Sequence, residues 1–301
     1  MAAARERLRA AGISMAADLD ARLLAQHVLG WDAAQFLTSA GGAPPTGFAD
    51  AFDALVSRRA TREPLAYVLG HREFWGLEFD VSPAVLIPRP ETELIVEAAL
   101  AVLPLLQSIA VVDTCTGCGN VAVAIAHERP NARVIATDIS EPALEVARRN
   151  AARHGVGSRI EFVHADLFTN LSNPSNLSNP SNPSGGFDLI TANPPYVAER
   201  NAPGLQPEVG AYEPHVALFG GDDGLRMVER VVREAPPLLR PGGYLIFEFG
   251  CGQEVEVEAL LKASAEITPV ELKRDLQGIA RVRPCCALER VGNPLHREPV
   301  T

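Results

Sequence analysis

VVDTCTGCGN, residues 111–120, joins an apolar run to a glycine-rich loop, and the loop to a stretch of helical periodicity. Val111 and Val112 extend the run begun at Ile109, and Asp113 closes it. Gly117 and Gly119 give the turn the freedom to bring its backbone close to a ligand. Residues 119–128 then read as a helix. Strand, glycine loop and helix in that order form the corner where α/β sheets take nucleotide-like ligands. The next strand, RVIAT (133–137), ends at Asp138, about twenty residues past the loop, where a carboxylate accepts hydrogen bonds from ribose hydroxyls. The third, RIEFVHAD (159–166), ends at Asp166, placed to meet an adenine edge. Ala122 supplies the last small residue of a dinucleotide fingerprint, so NAD stays open on this loop alone.

Outward from the loop the alternation continues. EPALEVARRNAARHG (141–155) is a helix with Pro142 in its first turn, and FDLITA (187–192) and YLIFEF (244–249) are strands. Continuous apolar strands between amphipathic helices predict an α/β fold, a parallel Rossmann-like sheet covered on both faces. Two final runs, ITPVELKRDL (267–276) and ARVRPCCALER (280–290), are separated by a short connection at Gly278 and predict a terminal antiparallel hairpin.

Residues 1–70 read as a small helical domain. One helix carries a stripe of Leu19, Leu23, Ala25, Val28 and Leu29 with Gly30 as a left-handed stop; another carries Phe48, Phe52, Leu55 and Val56. Residues 71–90, HREFWGLEFDVSPAVLIPRP, read as a bridging hairpin around Gly76, and residues 91–301 as the main domain. Within it TNLSNPSNLSNPSNPSGG (169–186) has almost nothing apolar to bury, and reads as a disordered surface insertion.

The 301 residues are 47% hydrophobic and 21% charged, a globular composition with enough chain for a core. A net charge of −10 weighs against holding nucleic acid by bulk phosphate neutralisation. The start, MAAARERLRA, has no apolar segment of a signal peptide. Residues 94–112, the most apolar stretch, are interrupted by Glu97, Pro104, Gln107 and Ser108 and divide into a helix and a strand rather than a membrane span. The expectation is a cytoplasmic protein, acting as a monomer, with no membrane or nucleic-acid partner.

Five cysteines in a chain this long make no disulfide framework. Cys115 and Cys118 form a Cys-x-x-Cys at a helix start, where thiol pKa values tend to fall, so a thioredoxin-like site is a rival by motif. The plainer reading is two small residues packed in the loop. A metal is not expected: Cys285 and Cys286 are adjacent, and no second pair has zinc spacing.

DLITANPPYVAE, residues 188–199, poses the chemical question. Asn193, Pro194, Pro195 and Tyr196 stand at the carboxyl end of a core strand, on the same edge as the glycine loop. Each proline drives the residue before it out of the helical region, so the turn is stiff. The Asn193 side-chain oxygen and the Pro194 carbonyl then form two fixed acceptors, which suit a planar NH2 group, and Tyr196 gives it a wall. Such a corner orients a poorly nucleophilic nitrogen toward an electrophile and favours charge developing on it. Beside a sulfonium methyl donor, the reaction is methyl transfer, with no evident Ser-His-Asp or Cys-His arrangement competing.

These residues resemble a known family. Asn-Pro-Pro-Tyr after the fourth strand marks methyltransferases that act on planar NH2 groups, on DNA adenine or on protein glutamine. EPLAYVLGHREFWGLEF (63–79), LIPRPETE (86–93), YEPHVALFGGDDGL (212–225) and LRPGGYLIFEFG (239–250) resemble the PrmC/HemK family of release-factor glutamine methyltransferases. The resemblance implies a class I methyltransferase sheet behind a release-factor-recognition domain, and S-adenosyl-L-methionine as donor. The acceptor it implies is the glutamine of the Gly-Gly-Gln motif in class 1 peptide chain release factors. Cys115, Thr116, Gly117, Cys118 and Gly119 would contact the donor with Asp113, Asp138, Asp166, Leu167 and Asn193. Asn193, Pro194, Pro195 and Tyr196 would hold the glutamine, with Asn193, Pro194 and Tyr196 as the catalytic group. The chain departs from the family at Cys115, commonly glycine, at Cys118, usually Ser or Thr, and at Leu167, often aromatic. A bridge between the two cysteines would close the donor site. Adenine methylation shares the Asn-Pro-Pro-Tyr corner but leaves residues 63–93 unexplained, and a non-catalytic scaffold leaves Asn193 unexplained.

Overall fold

A computed structural model describes residues 1–39, 42–169, 171 and 186–288. Most of the expected insertion, residues 170 and 172–185, lies outside the described residues.

The chain opens with α1 (Ala2–Ala10), α2 (Ala17–Leu29), α3 (Ala33–Ser39), α4 (Phe48–Ala60) and α5 (Leu65–Leu69). These helices have a core of their own, with Leu8, Ala21, Leu24, Phe52, Val56 and Val68 at its centre. Gly30 stops α2 in the left-handed region, as expected. The buried stripe of α2 differs from expectation: Ala17, Asp20, Ala21, Leu24 and Ala25 face inward, while Leu19 is 47% exposed. Its inward face follows Asp20, whose carboxylate takes the buried Arg59 guanidinium at 2.8 Å, and that ion pair fixes the rotation of the helix.

The hairpin β1 (His71–Phe74) and β2 (Leu77–Asp80) turns through Trp75 and Gly76, both at positive φ, as a two-residue turn demands. Phe74 and Phe79 are buried in the core of the main sheet. Trp75 at the tip donates its backbone N–H to Glu93 and its indole N–H to Glu128.

The sheet follows: α6 (Glu93–Val102), β3 (Ile109–Thr114), α7 (Asn120–Glu128), β4 (Ala132–Asp138), α8 (Glu141–Arg153), β5 (Ile160–His164) and β6 (Phe187–Ala192). Then come α9 (Pro207–Tyr212), α10 (His215–Leu218), α11 (Arg226–Glu234), β7 (Leu239–Glu248), α12 (Glu254–Ala263), β8 (Ile267–Pro269), β9 (Lys273–Arg274) and β10 (Ala280–Ala287). Strands lie in the order β5-β4-β3-β6-β7-β10-β8, with β9 also on β10. The five from β5 to β7 are parallel, and β10 runs antiparallel between β7 and β8. The run 267–276, expected as one strand, is divided into β8 and β9, both paired with β10.

Strands β3 and β6 are buried at every residue, because apolar layers cover both faces. One layer includes Ile95, Val96, Val121, Ile125 and Val146 from α6, α7 and α8; the other includes Val228, Val231, Val257 and Leu261 from α11 and α12. The strand order reverses between β3 and β6, which opens a crevice at their carboxyl ends. Thr114 pairs with Ala192 in register, so Cys115 and Asn193 leave the sheet side by side at that crevice.

Candidate active site

Two cavities meet at the crevice. The larger, about 520 Å3, is lined by Asp113, Cys115, Thr116, Gly117 and Cys118 from the glycine loop, by Asp138, Asp166 and Leu167, and by Asn193 and Pro195. The smaller, about 140 Å3, is lined by Pro194 and Tyr196. Leu86, Arg89, Asn193 and Ala217 line both. Of the sequence-read site residues only Gly119 lines neither. A β-carbon there would stand 3.0 Å from the Ala147 β-carbon, so its role is the close packing of the loop on α8.

The loop is fixed by its carboxylates. Asp113 is 2% exposed and accepts from the Thr116 hydroxyl at 2.6 Å and, across the strand pair, from the Thr191 hydroxyl at 2.7 Å. It therefore ties the glycine loop to the strand that carries Asn193. Burial pushes its pKa up to about 6, against the pull of those hydroxyls and the Ala122 N–H. Asp138 accepts from the Gly117 N–H and the Ser140 N–H, each at 2.9 Å. Burial raises its pKa, and those N–H groups favour the ionised form. Asp166 is half-exposed and is taken by Arg230 of α11 at 2.8 and 3.0 Å. Nothing in the sequence pointed to Arg230.

Cys115 and Leu167 both sit at positive φ, 57° and 52°, in the region that favours glycine. That explains why glycine suits the first loop position. The rival reading of the pair as activated thiols is not supported, and the plainer one, two small packed residues, fits the structure. Burial pushes the Cys118 thiol up to about 12 and the Cys115 thiol higher, and nearby carboxylates add to the rise. Both cysteines are free, small packed residues.

The Asn-Pro-Pro-Tyr corner is anchored from three sides. Asn193 donates its Nδ2–H to the Thr92 hydroxyl at 3.1 Å. Tyr196 donates its hydroxyl to Glu248 at 2.8 Å, and its carbonyl accepts from Gln253. A β-carbon at Gly220 would run into the Pro195 carbonyl and one at Gly224 into the Tyr196 carbonyl, which accounts for two of the glycines of FGGDDGL beneath the corner. Among the described residues, the Asn193 Oδ1 and the Pro194 carbonyl oxygen accept no hydrogen bond. Arg89 and the Ile87 N–H both reach the buried Glu213 carboxylate, so LIPRP and the Tyr-Glu-Pro stretch hold each other.

The residues fit a nucleoside-bearing sulfonium. Asp138, which only accepts when ionised, lines the larger cavity beside the glycine loop, and the half-exposed apolar Ile139 lines it too. No helix among the described residues is long and apolar enough to cross a membrane, and none of their His, Cys, Asp and Glu form a metal-holding group.

Residues 1–70 match the family described as PrmC N-terminal domain, and residues 106–281 the family described as methyltransferase domain. The catalytic domain of hMettl16 in complex with MAT2A 3′UTR hairpin 6 shares the fold at a TM-score of 0.56 with 17% identity, over 79% of this chain and 84% of that one. Sheet order, cavity and family match together define a class I methyltransferase. A release factor glutamine methyltransferase of Nitratidesulfovibrio vulgaris is 40% identical over 92% of this chain and 90% of its own. One of Neisseria gonorrhoeae is 42% identical over 90% and 94%. The chain belongs to the release factor glutamine methyltransferase family.

Proposed function

We propose that this enzyme methylates the side-chain amide nitrogen of the glutamine in the Gly-Gly-Gln motif of class 1 release factors, with S-adenosyl-L-methionine as donor. The observation that carries the reading is the pair of unclaimed acceptors, Asn193 Oδ1 and the Pro194 carbonyl, where the two cavities meet.

The donor, held in the larger cavity by the glycine loop, Asp138 and Leu167, supplies a methyl group on a positively charged sulfur. The acceptor carboxamide enters the smaller cavity. Asn193 Oδ1 and the Pro194 oxygen accept its two N–H bonds and turn its lone pair toward the larger cavity. The nitrogen bonds to the methyl carbon as the carbon–sulfur bond breaks, S-adenosylhomocysteine leaves as a neutral thioether, and the alkylated nitrogen gives up one proton to water. As charge develops on nitrogen, the same oxygens stabilise it without reorganising, since a stiff imide turn holds one and a hydrogen bond to Thr92 holds the other. Tyr196, locked by Glu248, gives the flat group its wall. The helical unit, residues 1–70, docks the release factor beside the corner. In this reading the enzyme is a cytoplasmic monomer acting on protein, with neither nucleic acid nor metal taking part.

Incubation with methyl-labelled donor and either a release factor or duplex DNA tests the reading. Label on the release factor, lost when the motif glutamine is replaced by alanine, is expected. Label on DNA alone, or label that survives the glutamine replacement, contradicts it.

A further inference from the structure

The hydrogen bonds behind the corner converge on one residue. Glu248 ends β7 and is 1% exposed. Ala192 pairs with Phe247, so Glu248 stands level with Asn193 on the neighbouring strand. Tyr196 donates to Glu248 Oε1, while Oε2 is buried and has no hydrogen-bond partner among the described residues. The hydroxyl that favours its ionised form, besides that of Tyr196, is Thr92, itself 1% exposed. Thr92 is also the acceptor for Asn193 Nδ2.

We propose that the buried Glu248 carboxylate, acting through the Thr92 hydroxyl, decides which end of the Asn193 amide faces the acceptor. The orientation turns on a count of protons, and its consequence for transfer rests on the function proposed above. An amide has an oxygen end and an NH2 end of nearly the same shape, so packing alone does not choose between them. An ionised carboxylate only accepts, so the unpartnered Oε2 is the acceptor toward which the single Thr92 proton turns. Thr92 then has only lone pairs left for Asn193, so Asn193 must offer Nδ2 and turn Oδ1 into the pocket. Were Glu248 protonated, Thr92 could donate to Oδ1 instead, and the NH2 end would face the substrate NH2, donor against donor. Glu248 is thus a positioning residue, and Asn193 touches the substrate.

The groups that set the charge state of Glu248 come from every side. Burial raises its pKa, and Glu91, just ahead of Thr92, adds to the rise. The Thr92 and Tyr196 hydroxyls and Arg281 on β10 oppose it. The acid limb of the methyl-transfer profile should therefore lie above the usual carboxylate range and vanish in Glu248→Gln.

Two measurements on the full-length protein test the proposal. In asparagine-labelled protein, the Asn193 side-chain NH2 resonances are expected to follow the Glu248 titration in the wild type and in Thr92→Ser. They should be flat in Glu248→Gln and uncoupled in Thr92→Val. Single-turnover transfer should fall about tenfold to hundredfold in Glu248→Gln and Thr92→Val, the scale supporting hydrogen bonds carry at metal sites, with most activity kept in Thr92→Ser. Affinity for S-adenosylhomocysteine should stay near wild type in all three. Resonances in Glu248→Gln that still titrate as in the wild type, or a Thr92→Val enzyme of wild-type rate, would overturn the proposal. The resonance readout needs no acceptor, so a wild-type enzyme inactive on release factors sinks the function reading alone.

Discussion

Glu208 on α9 accepts from the buried Arg59 guanidinium of α4 at 3.1 Å, and so joins the helical unit to the segment that follows the Asn-Pro-Pro-Tyr corner. Arg62 reaches the same carboxylate at 2.8 and 2.6 Å, and Tyr212 donates to the Thr61 carbonyl at 2.6 Å. Glu208→Ala leaves a guanidinium only 7% exposed with Asp20 as its remaining carboxylate. A loss of about 2 kcal/mol of stability is expected, below the cost of stripping a buried charge of every partner. Thermal unfolding measures it, and steady-state kinetics should show a higher KM for the release factor with unchanged donor affinity. An unchanged KM would mean the helices do not steer the partner through this contact.

The Arg230–Asp166 pair borders the larger cavity, but it is half-exposed and solvent screens it. Arg230→Ala should weaken S-adenosylhomocysteine binding by about 1 kcal/mol or less, up to roughly fivefold. Calorimetry at low and high salt separates the cases, because the difference between wild type and variant should shrink as salt rises. A salt-independent loss would instead point to a packing role for Arg230.

Cys115 holds a left-handed backbone that costs a side chain about 1–2 kcal/mol, while glycine gives back about 0.4–1 kcal/mol through the freer unfolded chain. Cys115→Gly should therefore raise stability by roughly 0.5 kcal/mol in urea unfolding. Cys115→Ala keeps the β-carbon and should give no gain. Since burial disfavours both thiolates, alkylation at neutral pH should be slow, and donor affinity the same with and without reductant.

Asp113 titrates near 6 in the folded protein, above its ordinary carboxylate value. The folded state thus binds this proton more tightly than the unfolded chain. The stability it contributes is full below about pH 4 and is lost as pH rises through about 6. The wild type should lose roughly 2–3 kcal/mol relative to Asp113→Asn between about pH 4 and pH 7, measured by denaturant titration across that window. Parallel stability curves for the two proteins would refute the assignment.

The sheet and the corner were legible in sequence because their signals are local. Apolar runs at 109–113 and 187–192, glycines after one and a rigid imide pair after the other, need no partner to be read. What supports them was not. Thr92 lies 101 residues from Asn193, Glu248 lies 52 from Tyr196, and Glu208 lies 149 from Arg59. A threonine in Pro-Glu-Thr-Glu and a glutamate in Phe-Glu-Phe carry no mark of burial or pairing until the topology brings their strands and turns together. The stripe of α2 was misread for the same reason, since a distant arginine decides which way the helix turns. Helix position alone left the thiol rival open, because it says nothing of desolvation, and burial is what decides against it.

The central claim is that Asn193 Oδ1 and the Pro194 carbonyl orient a glutamine amide for methylation, and fragment mass spectrometry of a treated release factor tests it most directly. Wild-type enzyme should place one methyl on the Gly-Gly-Gln glutamine side chain. Asn193→Ala should slow that transfer by about 10²–10³-fold, the scale of losing one preorganised polar group, while S-adenosylhomocysteine affinity holds. An Asn193→Ala enzyme that methylates the same glutamine at the wild-type rate would contradict the account.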